Sequence, residues 1–150
     1  MISDALYAYL HFTAILTLAS ALGAEALLLR AQPGERTLVA LARTDLLYGI
    51  AGALVVATGA ARVFLSAKGP AFYASNPVFW GKIALVVILA LMSIAPTARI
   101  LRWKKRARTD SAFTPSEPEL ARLRKTVFAE LHLLALVPLA AVLMARGIGT

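Results

Sequence analysis

A small set of ionisable side chains stands inside long apolar stretches of this sequence, where such groups are energetically costly and usually functional. They form two groups, an outer layer of His11, Arg62 and Lys82 and an inner layer of Glu25, Asp45, Glu130 and His132. The chain has no cysteine, which excludes disulfides, thiolate metal sites and thiol catalysis. It also has no Ser-His-acid set, phosphate-binding glycine loop or zinc-binding helix motif, so no catalytic residue is assigned.

His11 is the first candidate ligand. A buried imidazole in a helical bundle can serve as an axial ligand of haem iron, or it can be a hydrogen-bonded packing residue. Lys82 and Arg62 can pair with haem propionates or an anionic substrate, or they can extend to lipid headgroups. His11 and His132 enter from opposite sides, so their depths should differ by more than about 15 Å, which disfavours one haem held between them.

The inner carboxylates Glu25, Asp45 and Glu130 suggest a second kind of site. Carboxylates gathered at membrane depth must share protons, bind a hard cation or pair with arginine, and Arg43 and Arg99 are predicted at a similar depth, close enough to pair. Glu130 and His132 are two residues apart on one helix and point about 160° from each other, so they do not chelate one ion.

These side chains must be positioned by four apolar spans, predicted at residues 5–29, 46–67, 79–101 and 126–145. The 150 residues are 59% hydrophobic and 16% charged, with a mean hydropathy of +0.72, which a soluble single domain does not accommodate. Ser116 and Glu119 form a capping-box pattern ahead of the fourth span. We therefore predict one all-α domain, an integral membrane four-helix bundle in the lipid bilayer.

The net charge of +8 is distributed asymmetrically. Twelve basic residues fall on one predicted side and four on the other, the four being Arg62, Lys68, Lys82 and Arg146. The positive-inside rule then predicts a cytoplasmic basic loop at residues 102–125 and both termini outside. The basic run favours topology or anionic-lipid contact over nucleic acid, which is not an expected partner.

Small residues recur every four positions on the second span, at Gly49, Ala53, Ala57 and Ala61, with Gly52 and Gly59 on a nearby stripe. Such a stripe allows close helix packing, including self-association into a homo-oligomer. It can also leave room for a flat cofactor, and the spacing does not separate these two interpretations.

The chain resembles a bacterial family of predicted four-helix membrane proteins of unknown function. The resemblance spans nearly the whole chain and is carried by YLHFTAIL, GAEALLLR, RTDLLYGIAGALVVATGAARVF, KGPAFY, NPVFWGK, SIAPTARILRW and ELHLLALVPLAAVLMARG. More distantly, it is similar to the haem-containing protoporphyrinogen oxidases and the membrane domain of copper-resistance D proteins. His11, Lys82 and Glu130 match positions in those families, whereas Ala129 stands where the oxidases tend to have asparagine.

The oxidase resemblance implies that His11 binds haem b. The leading expectation is a haem b-binding membrane redox protein, with His11 ligating the iron and Lys82 and Arg62 beside it, oxidising a porphyrinogen or quinol-like substrate if it is an enzyme. Two alternatives remain: a small ion or proton-coupled transporter that uses the inner carboxylates, and a structural or assembly subunit of a membrane complex.

Overall fold

The computed structural model describes residues 2–65 and 69–148. Its elements are α1 (Ile2–Leu28), α2 (Glu35–Leu65), α3 (Gly69–Ala74), α4 (Pro77–Thr109) and α5 (Glu117–Ala145). The end of the second predicted span and Lys68 lie outside the described residues. The predicted all-α fold with four membrane-spanning helices is confirmed, since α1, α2, α4 and α5 are each long and apolar enough to cross a bilayer.

The four long helices form a ring in which sequence neighbours are also spatial neighbours. α1 packs against α2, α2 against α4, α4 against α5, and α5 closes the ring against α1. Short connections make consecutive long helices antiparallel, which is the up-down-up-down arrangement. A side chain on any of the four helices can therefore face a common interior.

The exterior of the bundle differs from that of a soluble bundle, whereas the core is largely apolar in both. Large apolar residues at mid-helix face outward, such as Leu91 at 62% exposure and Ile94 at 61%, whereas Glu25 and Glu130 are each only 1% exposed. An apolar exterior around a partly polar interior is what a hydrocarbon solvent selects. The protein is accordingly embedded in the lipid bilayer.

Two helices extend farther than the apolar runs predicted. α2 begins at Glu35 rather than residue 46, because Leu38, Leu41, Ala42 and Asp45 form a buried face that continues the helix beyond the charged positions. α4 continues to Thr109, with Trp103 and Ala107 buried one turn apart. At 33 residues α4 is about 50 Å long, so it extends well past a hydrocarbon core of roughly 30 Å.

The predicted basic loop 102–125 is therefore mostly helical, and the connection between α4 and α5 is short. α5 begins after Ser116, where the predicted capping box is confirmed. The Glu119 carboxylate accepts hydrogen bonds from the Ser116 backbone N–H at 3.1 Å and the Ser116 hydroxyl at 2.8 Å. These bonds give hydrogen-bond partners to polar groups at the start of the helix that would otherwise have none.

The connection between α2 and α4 was predicted as a loop but contains the short helix α3. Gly69, the first residue of α3, has a φ of +70°, a conformation that favours glycine. Asn76 caps α4 by accepting from the Val78 N–H at 2.8 Å, and its amide donates to the Ile148 carbonyl at 3.4 Å. The described ends of the chain therefore lie at the same end of the bundle as α3.

Candidate functional site

The structure brings the three predicted outer-layer residues together, and we call them the His11 cluster. His11 lies on α1, Arg62 near the end of α2 and Lys82 near the start of α4. Both cationic side chains are within electrostatic range of the imidazole. Each also contacts an aromatic ring, with Arg62 5.9 Å from the centroid of Phe12 and Lys82 5.4 Å from that of Phe79.

Thr58, which sequence reasoning missed, is a hydrogen-bond partner of His11. Its Oγ1 lies 2.9 Å from His11 Nδ1 and 2.6 Å from the carbonyl oxygen of Leu54. The hydroxyl has one proton, so when it donates to the Leu54 carbonyl it accepts a hydrogen bond from a protonated His11 Nδ1. In that tautomer the neutral imidazole carries its free lone pair on Nε2. The ring also lies within hydrogen-bonding range of the Val55 backbone.

Close contact between α1 and α2 holds the imidazole in place. A Cβ added to Gly59 would lie 3.2 Å from His11 Cε1, tighter than ordinary van der Waals contact, and one added to Gly52 would lie 3.7 Å from Leu18. The Gly52 and Gly59 stripe is thus the close-packing face toward α1. Gly49 and Ala57, on the more regular small-residue stripe, are exposed instead.

An apolar cleft lies one helical turn from His11 toward the middle of the bundle. It has a volume of about 260 Å³ and includes Ile15, Gly49, Gly52, Ala53 and Val56 in its lining. Ile15 is one turn along α1 from His11, and Val56 precedes Thr58 on α2. Gly49 and Gly52 contribute no side chain to the wall of this cleft.

The inner carboxylates also meet, and we call Glu25, Asp45 and Glu130 the carboxylate cluster. They come from α1, α2 and α5, are all buried, and Glu25 is within electrostatic range of the other two. The fourth long helix contributes Thr97, whose hydroxyl donates to Asp45 Oδ1 at 2.8 Å. Every long helix therefore supplies one polar side chain to a single internal layer.

The carboxylate cluster lacks the predicted arginine partners. Within residues 2–65 and 69–148, neither Arg43 nor Arg99 forms an ion pair with it, because Arg43 is exposed on α2 and Arg99 lines a cleft between α4 and α5. Glu25 Oε1 and Glu130 Oε1 are buried with no hydrogen-bond partner in this region. The acids and histidines of residues 2–65 and 69–148 form no group of three or more that could hold a metal ion.

His132 belongs to neither cluster. It is exposed, and its Nδ1 lies 2.6 Å from the carbonyl oxygen of Phe128. Two residues of helix turn it away from Glu130, in agreement with the predicted separation of about 160°. By helical rise it also lies on the order of 15–20 Å from the level of His11.

Thr58 and Thr97 could have been found from sequence only by asking which hydroxyls share a helix face with the ionisable residues. Thr58 immediately precedes Gly59, and Thr97 follows Pro96 on the interior face of α4. A threonine within an apolar span commonly donates to its own helix, as Thr58 does to Leu54. Its second role as an acceptor depends on how α1 and α2 are rotated against each other.

Comparison with known families gives one match, which covers almost the whole chain. Residues 3–149 match the family model described as predicted membrane protein (DUF2214). Neither the curated proteins nor the solved structures contain a match to the chain. Four membrane-spanning helices and a family match over nearly all residues agree, and the chain belongs to this family of predicted membrane proteins.

Proposed function

We propose that the protein is a haem b-binding membrane redox protein in which His11 Nε2 is an axial ligand of the iron. The observation that carries this proposal is the His11–Thr58 hydrogen bond: with Thr58 as the acceptor, the free lone pair of the imidazole is on Nε2. Histidine ligands in metalloproteins usually donate their other N–H to an oxygen acceptor, which fixes the ring and raises its basicity. Thr58 has this role.

The surroundings of His11 suit the other parts of a haem. Arg62 and Lys82 supply positive charge for two propionates, while the cleft that begins at Ile15 and Val56 supplies an apolar wall. Its 260 Å³ is slightly below the roughly 300–1,000 Å³ of typical ligand pockets, so a haem would extend beyond it to the lipid-facing surface. Bound haem supplies one-electron chemistry, and the substrate class is a porphyrinogen or a quinol-like molecule.

The test compares two histidine variants purified from cells supplied with a haem precursor. We expect His11→Ala to lower bound haem per chain by at least about tenfold, because the ligand is removed. His132→Ala is the matched control and should retain haem, because His132 is exposed and bonded to its own helix. Equal loss in the two variants would contradict assignment of the ligand to His11.

A second candidate function is proton-coupled transport through the carboxylate cluster. Within residues 2–65 and 69–148 the three buried carboxylates form no ion pair, and carboxylates that close together share protons. Glu25 Oε1 and Glu130 Oε1, which have no hydrogen-bond partner in the same region, are the acceptors for those protons. Proton uptake into vesicles under a pH gradient tests this function. Glu25→Gln and Glu130→Gln should each abolish uptake, whereas His11→Ala should leave it unchanged; uptake that survives both glutamine substitutions would exclude a role for the cluster.

We further propose the bacterial inner membrane as the location, with the arginine-rich end of the bundle in the cytoplasm and both termini outside. Self-association through the exposed face that includes Gly49 and Ala57 also remains a proposal. If the protein is instead a structural or assembly subunit, His11→Ala and Glu25→Ala should both be tolerated and a larger complex should co-purify.

A further inference from the structure

A positively charged cleft lies between α4 and α5, at the opposite end of the bundle from His11. It has a volume of about 270 Å³ and is lined by Arg99, Arg102, Trp103, Arg106, Glu119 and Arg122. We call it the arginine cleft. Neither the His11 cluster nor the carboxylate cluster contributes a residue to its lining.

The spacing of the arginines brings their charges together. Arg99, Arg102 and Arg106 follow one another by three and four residues on α4, which places them on one helix face. Arg122 faces them from α5, one turn after Glu119. Trp103 is only 4% exposed, so its indole forms a rigid floor. Four guanidinium groups thus border one concave space, unlike basic residues that project separately into solvent.

The protein does not neutralise this charge itself. Within residues 2–65 and 69–148, none of the four arginines forms an ion pair. The one lining carboxylate, Glu119, accepts two hydrogen bonds from Ser116. These bonds, with smaller effects from Arg106 and Arg99, lower the pKa of Glu119, so it is ionised at neutral pH.

Two of the guanidinium groups are already oriented by the protein. Arg102 Nε donates to the Ala98 carbonyl at 3.2 Å, and the Arg106 guanidinium lies 5.7 Å from the centroid of the Phe113 ring. Contacts of this kind reduce the conformational entropy that a ligand must remove on binding. The terminal N–H groups of Arg102 remain available to a second partner.

We propose that the arginine cleft binds a phosphate group, carried either by an anionic phospholipid headgroup or by a free phosphate compound. Guanidinium groups bind phosphate oxygens through paired, charge-assisted hydrogen bonds, which favours arginine over lysine at such sites. The cleft begins at Arg99, where the uncharged segment 83–98 ends, and therefore lies at the headgroup level of the bilayer. Both sources of phosphate reach that level.

The test uses the fluorescence of Trp103 as a direct reporter. The chain has two tryptophans, so Trp80→Phe leaves Trp103 alone. This variant, purified in an uncharged detergent, is titrated with short-chain phosphatidylglycerol, with inorganic phosphate and with short-chain phosphatidylcholine. We expect saturable quenching or enhancement by phosphatidylglycerol, and binding of phosphatidylcholine at least about tenfold weaker because its headgroup has no net charge. Saturation by inorganic phosphate as well would identify free phosphate compounds as ligands, whereas a response to phosphatidylglycerol alone would identify the lipid.

Three variants in this background separate binding from folding. The double variant Arg102→Gln with Arg122→Gln should weaken phosphatidylglycerol binding at least about tenfold. The control double variant, Lys105→Gln with Arg108→Gln, removes the same charge outside the cleft and should change the affinity for phosphatidylglycerol less than about twofold. Glu119→Gln keeps a capping-box residue but removes the only lining carboxylate, so it should tighten binding. A gain in affinity for phosphatidylglycerol cannot result from misfolding. No saturable response to either anion, equal loss in both double variants, or weaker binding by Glu119→Gln would each overturn the proposal.

Discussion

At the scale of single residues, the proposed binding of iron by His11 depends on the hydrogen bond between its imidazole and Thr58. Thr58→Val keeps the shape of the side chain but removes the acceptor of the Nδ1 proton. Loss of such a partner typically costs about 10–100-fold in affinity of a metal site. We expect Thr58→Val to release haem faster and to shift its reduction potential, as measured by transfer to apomyoglobin and by redox titration.

The matched control for that substitution is Thr13→Val. Thr13 is exposed on α1 and donates only to the carbonyl of Tyr9 in its own helix, at 2.9 Å. Haem release and potential should therefore remain at their wild-type values. A similar shift in the two variants would mean that the effect arises from removal of a membrane-facing hydroxyl and not from the contact with His11.

Gly59 gives a second prediction at this scale, because its missing Cβ is what permits the imidazole to approach α2. Gly59→Ala would place a methyl group 3.2 Å from His11 Cε1, so the ring must move by a few tenths of an ångström. We expect reduced haem content. Gly23→Ala meets nothing within 4 Å and should leave haem content unchanged while stabilising α1 by about 0.5–1 kcal/mol, measured by thermal unfolding.

At the scale of elements, the cap of α5 predicts a specific pH dependence. Hydrogen bonds from Ser116 lower the pKa of Glu119 below its usual value of 4.5. A group with a lowered pKa in the folded state stabilises it above the unfolded pKa, and that contribution is lost as pH falls through the folded pKa. The start of α5 should therefore loosen in acid.

Ser116→Ala removes the hydroxyl that donates to Glu119, so the stability of the protein should fall less as the pH is lowered. Thermal midpoints measured from pH 6 to pH 3 should fall less steeply in Ser116→Ala than in the wild type, from a lower starting value. Pro118, on the same turn, lies outside the hydrogen-bonded pair, so Pro118→Ala serves as a control. Parallel pH profiles for wild type and Ser116→Ala would show that the cap does not contribute.

The helices also show what could be predicted from sequence and what could not. Apolar runs predicted four spans, and the pattern at Ser116 and Glu119 predicted the start of α5, because both signals are local. The extension of α2 to Glu35 and of α4 to Thr109 was missed, because an amphipathic helix continues outside the hydrocarbon while an apolar run ends there. The outward direction of His132 followed from helical geometry, whereas the contact of Thr58 with His11 depends on helix rotation.

At the scale of the whole molecule, the fold separates three chemical environments along one bundle. The His11 cluster lies at one end, the carboxylate cluster farther along the interior and the arginine cleft at the opposite end. By helical rise, 14 residues separate His11 from Glu25, or about 21 Å. Because the two buried clusters lie this far apart, substitutions in one should leave the other unaffected, which makes the two candidate functions separable by mutation.

Orientation in the membrane is testable because the chain has no cysteine. Ser75→Cys reports on the end near α3 and Ser111→Cys on the connection between α4 and α5, and both serines are exposed. A membrane-impermeant maleimide applied outside intact spheroplasts should label Ser75→Cys and not Ser111→Cys, as the excess of positive charge near Ser111 predicts. The reverse pattern would place both termini in the cytoplasm.

The central claim is that this bundle binds haem b through His11. The most direct measurement is the absorption spectrum of the detergent-purified wild-type protein from cells supplied with a haem precursor, before and after dithionite, with a pyridine haemochrome assay for stoichiometry. We predict a Soret band, α and β bands that sharpen on reduction, and close to one haem per chain. A colourless preparation with a correctly folded helical bundle would contradict the claim and leave proton-coupled transport through Glu25, Asp45 and Glu130 as the function to test.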